Sequence, residues 1–354
     1  MNIGIFSDTY FPQLNGVATS IRTLTHALRE KGHTVYIFTP SDPRCEGQPD
    51  DEDIFRLPSI PVYFVRDYRA GYIFPPHILK KIKKLNLDIV HTQTELPLGF
   101  LGKLVSTTEG IPMVHTYHTM YEDYVHYIGG GHIISKNMAR EFSSAFCNTA
   151  MAVIAPTHKT EQLLSGYGVT KPISIIPTGI NTPPFRKENF DAAEILALRE
   201  SLGLKADTPV IISIGRIAKE KSIDVVISAL PKLIEKLPEV QMVIVGEGNE
   251  IENLRNFAES LGVGAHVMFT GGKPWDEIGK YYQLGNVFCS ASVSETQGLT
   301  FAEAMAGGIP VVAKKDECIE NIITDGETGM LFEKNEDLPD LLYRALTDKA
   351  LSEK

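Results

Sequence analysis

Cys289-Ser-Ala-Ser-Val-Ser-Glu295-Thr-Gln-Gly298-Leu-Thr-Phe-Ala-Glu303-Ala-Met-Ala-Gly307-Gly308-Ile-Pro310 joins three kinds of local pattern. Val287 to Cys289 is a short apolar run, small polar residues follow, and apolar positions then recur with helical spacing at Leu299, Ala302, Met305 and Ala306. The stretch therefore reads as strand, loop and helix. Gly307-Gly308 and Pro310 end the helix, since glycine tolerates a left-handed C-terminal turn and proline cannot continue. The amides around Gly298, Leu299 and Thr300 fall at a helix N-terminus, where donors lack partners and the dipole favours an anion such as phosphate. Two carboxylates flank that seat. Glu303 has two readings: a Thr300-x-x-Glu303 capping box, or an acceptor for ligand hydroxyls, since a carboxylate takes hydroxyl pairs and repels phosphate. Glu295, in a Ser-rich loop, is either a hydrated carboxylate or a second such acceptor.

At 354 residues the chain suits two domains. Its 43% hydrophobic and 22% charged content is that of a soluble globular protein. No apolar run approaches the ~18 residues of a membrane span, and Met1-Asn2-Ile3-Gly4 enters a strand directly, so a cytoplasmic protein is expected. Cys45, Cys147, Cys289 and Cys318 form no Cys-x-x-Cys pair and read as reduced thiols.

Charge is distributed unevenly. Residues 1–180 carry 16 Lys+Arg and 16 Asp+Glu of the chain's 34 and 44, so the whole net charge of −10 lies in residues 181–354. No general basic face is available for nucleic acid. Within the neutral half, Arg56, Arg66, Arg69, Lys80, Lys81, Lys83 and Lys84 face one acid, Asp67, with Tyr63, Phe64, Tyr68, Tyr72, Ile73 and Phe74 interleaved. Such a segment suits an anionic bilayer surface; the alternative is a solvated helix whose lysines maintain solubility.

The N-terminal half alternates strands (Ile3 to Ser7, Val35 to Thr39, Ile89 to Thr92, Val114 to Tyr117, Ala152 to Ala155, Ile173 to Ile176) with helices (Val17 to Arg29, Leu98 to Thr107, Ser135 to Cys147). That order predicts a parallel sheet covered on both faces, with ligands at the C-terminal strand ends. Gly16, just before a helix, reads as a tight turn or as close backbone approach to a sugar or phosphate. His115-Thr-Tyr-His118-Thr-Met-Tyr-Glu122-Asp123-Tyr124 follows a strand. His115 belongs inside it and His118 at its end, as a structural ring or a hydrogen-bonding and proton-handling group. Glu122, Asp123 and Tyr124 read as a hydrated loop or as contacts for an acceptor hydroxyl. Pro177-Thr-Gly-Ile-Asn-Thr-Pro-Pro-Phe185 marks the domain boundary, dividing 1–178 from 179–354. After the strand Val210 to Ile214, Gly215-Arg216 and Lys221 send two cations to one sheet edge, suited to phosphate or to pairing with Glu220. Gln241 to Gly246 is a strand, with Glu247-Gly-Asn-Glu250 beginning the next helix; Gly246 and Gly248 are too few for a dinucleotide fingerprint. Val267 to Thr270 leads into Gly271-Gly-Lys273-Pro274 and then Trp275. Asp50-Asp-Glu-Asp53 reads as exposed loop.

Glu295-x7-Glu303 with Gly298-Leu299-Thr300 between, Gly215-Arg216-x4-Lys221, the histidine strand end and the proline-rich boundary resemble the family-4 retaining glycosyltransferases of the GT-B fold, in family order across roughly residues 3 to 332. The resemblance implies an α/β architecture of two Rossmann-like, doubly wound domains with an interdomain cleft, the N-domain for the acceptor and the C-domain for a nucleotide sugar. It implies that Glu295 holds hydroxyls of the transferred sugar and Glu303 the ribose. Arg216, Lys221 and the amides after Gly298 would hold the diphosphate, backbone near Lys273 the uracil, and His118 would stand beside the sugar. A same-face, retaining mechanism without a metal or cofactor follows from it, with no protein nucleophile assigned and Glu295 as nucleophile the alternative; UDP-glucose is foremost as donor, and glucose against galactose turns on one hydroxyl. The His115–Tyr124 string resembles bacterial diacylglycerol glucosyltransferases, implying a diacylglycerol acceptor and a peripheral position on the inner face of the cell membrane. Family members usually continue into a helix that crosses back onto the N-domain, which this sequence is expected to lack. The competing readings are another acceptor (glycosyl-diacylglycerol, phosphatidylinositol, polyprenyl-linked sugar or polysaccharide), a sugar-nucleotide epimerase, and a non-catalytic membrane-bound partner protein.

Overall fold

The computed structural model describes residues 1–13, 15–45, 52–62, 68–71, 76–123, 125 and 135–348. Arg66 and Tyr124 lie outside them, as do residues 63, 64, 67 and 72–74 of the basic and aromatic segment. The chain divides into two compact units, Met1–Gly179 and Ile180–Lys354.

The first unit runs β1 (Asn2–Phe6), α1 (Gly16–Glu30), β2 (Thr34–Pro40), β3 (Ile54–Leu57), β4 (Ser59–Pro61), β5 (Arg69–Gly71), α2 (Pro76–Lys83), β6 (Ile89–Thr92), α3 (Pro97–Glu109), β7 (Met113–Thr116), α4 (Lys136–Cys147), β8 (Ala152–Ala155), α5 (His158–Gly166) and β9 (Ile173–Ile175). Seven parallel strands lie in the order β3-β2-β1-β6-β7-β8-β9, and β4 and β5 form a separate antiparallel pair. Alternate side chains serve opposite faces. Ile3, Ile5, Val35 and Ile37 pack on Ile21 of α1, whereas Phe6 and Phe38 enter the larger cluster with Leu101 and Val153. Phe6, Phe38 and Phe55 stack across three strands at 4.5 and 5.0 Å.

The second unit runs α6 (Ala192–Ser201), β10 (Val210–Ile214), α7 (Ile223–Lys236), β11 (Gln241–Val245), α8 (Ile251–Ser260), β12 (Val267–Phe269), α9 (Ile278–Tyr282), β13 (Val287–Ser290), α10 (Leu299–Ala306), β14 (Val311–Lys314), β15 (Met330–Phe332) and α11 (Leu338–Thr347). Its six parallel strands lie in the order β12-β11-β10-β13-β14-β15. Ile211, Met242 and Ile244 face one apolar cluster, and Val210, Ile212, Val243 and Val245 face the other. A sheet buried on both faces explains why these strands read as unbroken apolar runs.

Both sheets reverse their winding next to their first strand. Connections run outward from β1 through β2 to β3 and resume on the other side of β1 with β6; in the second unit they reverse between β10 and β13. Loops leaving such neighbouring strands diverge and open a crevice at the C-terminal sheet edge.

Three local features differ from the sequence expectation. β3 and the β4–β5 pair were not anticipated within the basic segment. Residues 247–250 are not helical: α8 starts at Ile251, because Ile217 N–H donates to the Glu247 carbonyl at 2.8 Å and holds the backbone in a loop crossing. Gly16 is the first residue of α1, capped by the Asn15 side chain, which accepts from Ala18 N–H at 2.9 Å.

Candidate functional site

The loops after β10 and β13 flank the winding reversal of the second unit and bring Arg216, Lys221 and Glu295 together. Lys221 Nζ lies 2.6 Å from Glu295 Oε1, and Arg216 Nη2 donates to Glu220. Burial pushes the Glu295 carboxyl up, but the Lys221 charge and hydrogen bond, a Ser292 hydrogen bond and the Arg216 charge outweigh it and hold it below the usual range. Ser294 Oγ donates to the Glu220 carbonyl at 3.0 Å and ties the two loops to each other.

Gly298 caps α10 in the left-handed region, φ 75°, with no side-chain cap. A Cβ there would meet the Phe301 ring at 2.6 Å, so position 298 demands glycine both for its dihedral and for its space. Leu299 and Thr300 are the first two helical residues, and their amides lack intrahelical partners by helix geometry. Thr300 is therefore no N-cap, and the capping-box reading of Glu303 fails. Glu303 instead is buried and accepts a 2.7 Å hydrogen bond from the Tyr282 hydroxyl at the end of α9. Burial raises its pKa to about 7, against the lowering effect of that bond.

Beside this seat the backbones of three strand-end loops interlock. Gly215 N–H donates to the Val245 carbonyl at 3.0 Å, and Gly246 N–H to Gly271 at 3.1 Å. Gly215 and Gly246 have φ of 142° and 151°. A Cβ on Gly246 would stand 1.8 Å from the Gly215 carbonyl oxygen, and one on Gly248 1.8 Å from that of Ile217. These glycines thus allow the Arg216 loop to be crossed closely by its neighbour, a role their spacing does not advertise. Lys273 is half-buried, with Nζ 5.1 Å from the Tyr281 ring centroid, and Trp275 packs edge-on to Phe185.

In the first unit the loops at the reversal carry Asp8, Gln93, Thr94 and Glu95. Asp8 accepts from the Leu98 amide at 3.1 Å and from Thr94 Oγ1 at 2.6 Å, so it caps α3 from another element; burial raises its pKa to about 7. His118 lies two residues beyond β7, with Nε2 2.6 Å from Gln93 Oε1. Gln93 Nε2 is 3.0 Å from His91 Nε2, which is 2.7 Å from Thr116 Oγ1. Burial, and then the neighbouring His115 and His91, lower the His118 pKa to about 3. His115 is inside β7, 3.3 Å from Glu95, and Tyr121 donates to Glu95 at 2.8 Å. Glu122 takes the Arg140 guanidinium. Asp123 shares the same short turn, Tyr121–Asp123.

The basic segment separates into two groups. Arg69 is drawn into the fold: its guanidinium donates to the Ser41 carbonyl, the Ser59 hydroxyl and the Ser59 carbonyl at 2.8 to 3.0 Å. Lys80, Lys81, Lys83 and Lys84 are exposed on and after α2. Lys81 lies over the Phe55 ring at 4.7 Å and Lys83 meets Glu109 at 3.1 Å. No helix among the described residues is long and apolar enough to cross a membrane.

Comparison with known proteins agrees with this layout. Residues 14–183 match the family described as Glycosyltransferase Family 4, and residues 194–354 the one described as Glycosyl transferases group 1. The chain is 39% identical over 346 residues to an alpha-monoglucosyldiacylglycerol synthase of Streptococcus pneumoniae, covering 98% of this chain and 78% of that protein. A protein of the same name from Acholeplasma laidlawii is 34% identical, covering 96% of this chain and 86% of the relative. A crystal structure of Anabaena Alr3699/HepE in complex with UDP-glucose superimposes with a TM-score of 0.78 at 17% identity, over 99% of this chain and 91% of the other. The fold is thus GT-B, and the chain belongs to the family-4 glycosyltransferases, retaining enzymes that use a nucleotide sugar.

Proposed function

We propose that the protein transfers glucose from UDP-glucose to diacylglycerol with retention, giving an α-linked glucolipid. The observation that carries the donor half is the Lys221–Glu295 bridge across the β10/β13 reversal, at the foot of α10. It puts phosphate-binding cations, a carboxylate held below the usual pKa range and unpartnered helix amides in one small region of one unit. The lipid half rests on the names of the two relatives spanning nearly the whole chain.

Arg216, Lys221 and the amides of Leu299 and Thr300 neutralise the diphosphate as it leaves, which is electrostatic stabilisation of the transition state. The acceptor hydroxyl oxygen bonds to the anomeric carbon on the face from which the phosphate oxygen departs, and its proton passes to that oxygen. Glu295, kept ionised, accepts sugar hydroxyls; Glu303 accepts the ribose pair; backbone around Gly271 and Lys273 meets the uracil edge. His118 stands beside the sugar as a neutral ring. The acceptor is met by the first unit near Asp123 and Tyr124, while Glu122, locked to Arg140, shapes that turn. The α2 lysines hold the protein on the anionic inner face of the cell membrane, without Arg69, whose guanidinium donors are engaged by Ser41 and Ser59.

A product assay tests this reading: UDP-glucose and UDP-galactose, each with diacylglycerol in anionic vesicles and without acceptor. A glucolipid from UDP-glucose alone is expected. Donor loss without glycolipid would overturn the lipid acceptor, and glycolipid from UDP-galactose alone would overturn glucose. Replacing Lys80, Lys81, Lys83 and Lys84 by glutamine is expected to weaken vesicle sedimentation, and unchanged sedimentation removes the α2 contact.

A further inference from the structure

The first unit contains a buried chain of polar side chains of which the reaction as described uses only His118. It runs from Thr116 in β7 to His91 in β6, through Gln93 at the winding reversal, and reaches His118. Each link is short: 2.7, 3.0 and 2.6 Å. Gln93 is 1% exposed and His91 7%. In such surroundings every donor must meet an acceptor, because an unmade bond costs the desolvation of the group.

An amide side chain has one oxygen, which only accepts, and one nitrogen, which only donates. Gln93 presents its nitrogen to His91 and its oxygen to His118. His91 Nε2 therefore holds the lone pair, taking the Gln93 N–H and the Thr116 O–H. His118 Nε2 must carry a proton in order to donate to Gln93. Reversing the amide would reverse both rings together, so the tautomer of one histidine is locked to that of the other.

We propose that Gln93 is a positioning residue for the transfer reaction, holding His118 as its Nε2–H tautomer through the relay from Thr116 and His91. Nδ1 of His118 is then the nitrogen that accepts, and any hydroxyl meeting it must donate to it. A neutral, tautomer-fixed ring of this kind selects a hydroxyl at its place and rejects a ligand atom that cannot donate. Burial first, and then the neighbouring imidazoles of His115 on β7 and His91 on β6, keep the ring neutral. The role in transfer rests on the reading of His118 as the group beside the sugar; the relay itself does not.

Nitrogen-15 NMR of the histidine-labelled full chain, with the His118 signal identified from its loss in His118→Asn, reads the tautomer directly. The wild-type ring is expected as pure Nε2–H, and Gln93→Met should mix the two tautomers. In the same variant kcat should fall by at least about tenfold with the UDP-glucose KM nearly unchanged, the split expected when a transition-state contact is misoriented. Gln93→Glu keeps the acceptor for Nε2–H but adds a charge, so it should retain the tautomer and bring a His118 titration into the pH–rate profile. A wild-type Nδ1–H ring, or a tautomer untouched in both variants, overturns the relay. Full activity of His118→Asn alongside an intact wild-type tautomer overturns only the reading of His118 beneath it.

Discussion

Glu295 and Glu303 are eight residues apart in sequence, yet their surroundings drive them to opposite states. Lys221 holds the first ionised, while burial beside one tyrosine raises the second to about 7. Only the ionised carboxyl accepts a pair of hydroxyls, so the proposed hold of Glu303 on the ribose requires it to lose its proton. UDP-glucose affinity should therefore fall as pH drops below about 7, with proton release on binding near neutrality. Calorimetry at pH 6 and 8 in buffers of different ionisation heat checks this; equal affinity and no linked proton would refute it. Tyr282→Phe removes the bond that lowers this pKa, so the affinity profile should move to higher pH. Lys221→Ala takes away the charge proposed to stabilise the leaving group and frees Glu295 to rise. Turnover should drop by about 10²–10³ with circular dichroism unchanged, and normal turnover would remove the donor-site assignment. Folding stability follows the same logic at Asp8: its raised pKa gives a contribution present below about pH 4 that is lost as pH rises toward 7.

At the scale of elements, the proposed donor site depends on loops packed backbone to backbone. Gly248→Ala forces a methyl group against the Ile217 carbonyl, 1.8 Å away if nothing moves. The loop bearing Arg216 must then shift, at a cost of ~1–3 kcal/mol. A lower melting temperature together with weaker UDP-glucose binding is expected; loss of neither would show that the crossing is slack. This crossing also marks where sequence reading stops. The central strands were legible because both their faces are buried, and α10 because its apolar spacing and terminal glycines agree. Edge strand β3 and the three-residue β4–β5 pair give no such signal, since their side chains are mostly half-exposed. Glu303 stood out in the sequence as a candidate, but Tyr282, its partner, comes from another helix at no fixed spacing. Gln93 and Asp8 lie one or two residues beyond strand ends. Their importance emerges only once the strand order shows that β1 and β6 are neighbours across the reversal.

At the scale of the molecule, each unit owns a complete sheet and its own apolar clusters. Residues 180–354 expressed alone should melt cooperatively and bind UDP, which differential scanning calorimetry with and without nucleotide tests. A chain that fails to fold would show that the donor unit needs the other for stability. Within that unit, Lys221 and Glu295 are 74 positions apart, and β10 sits between β11 and β13, two strands that are both made after it. During synthesis the cationic loop leaves the ribosome long before the carboxylates and the α10 amides do. Nucleotide binding thus arrives in one late step, once the chain has passed about residue 306. Until then the growing polypeptide gains nothing from cellular UDP-sugars, and it is the finished domain alone that they can stabilise by mass action.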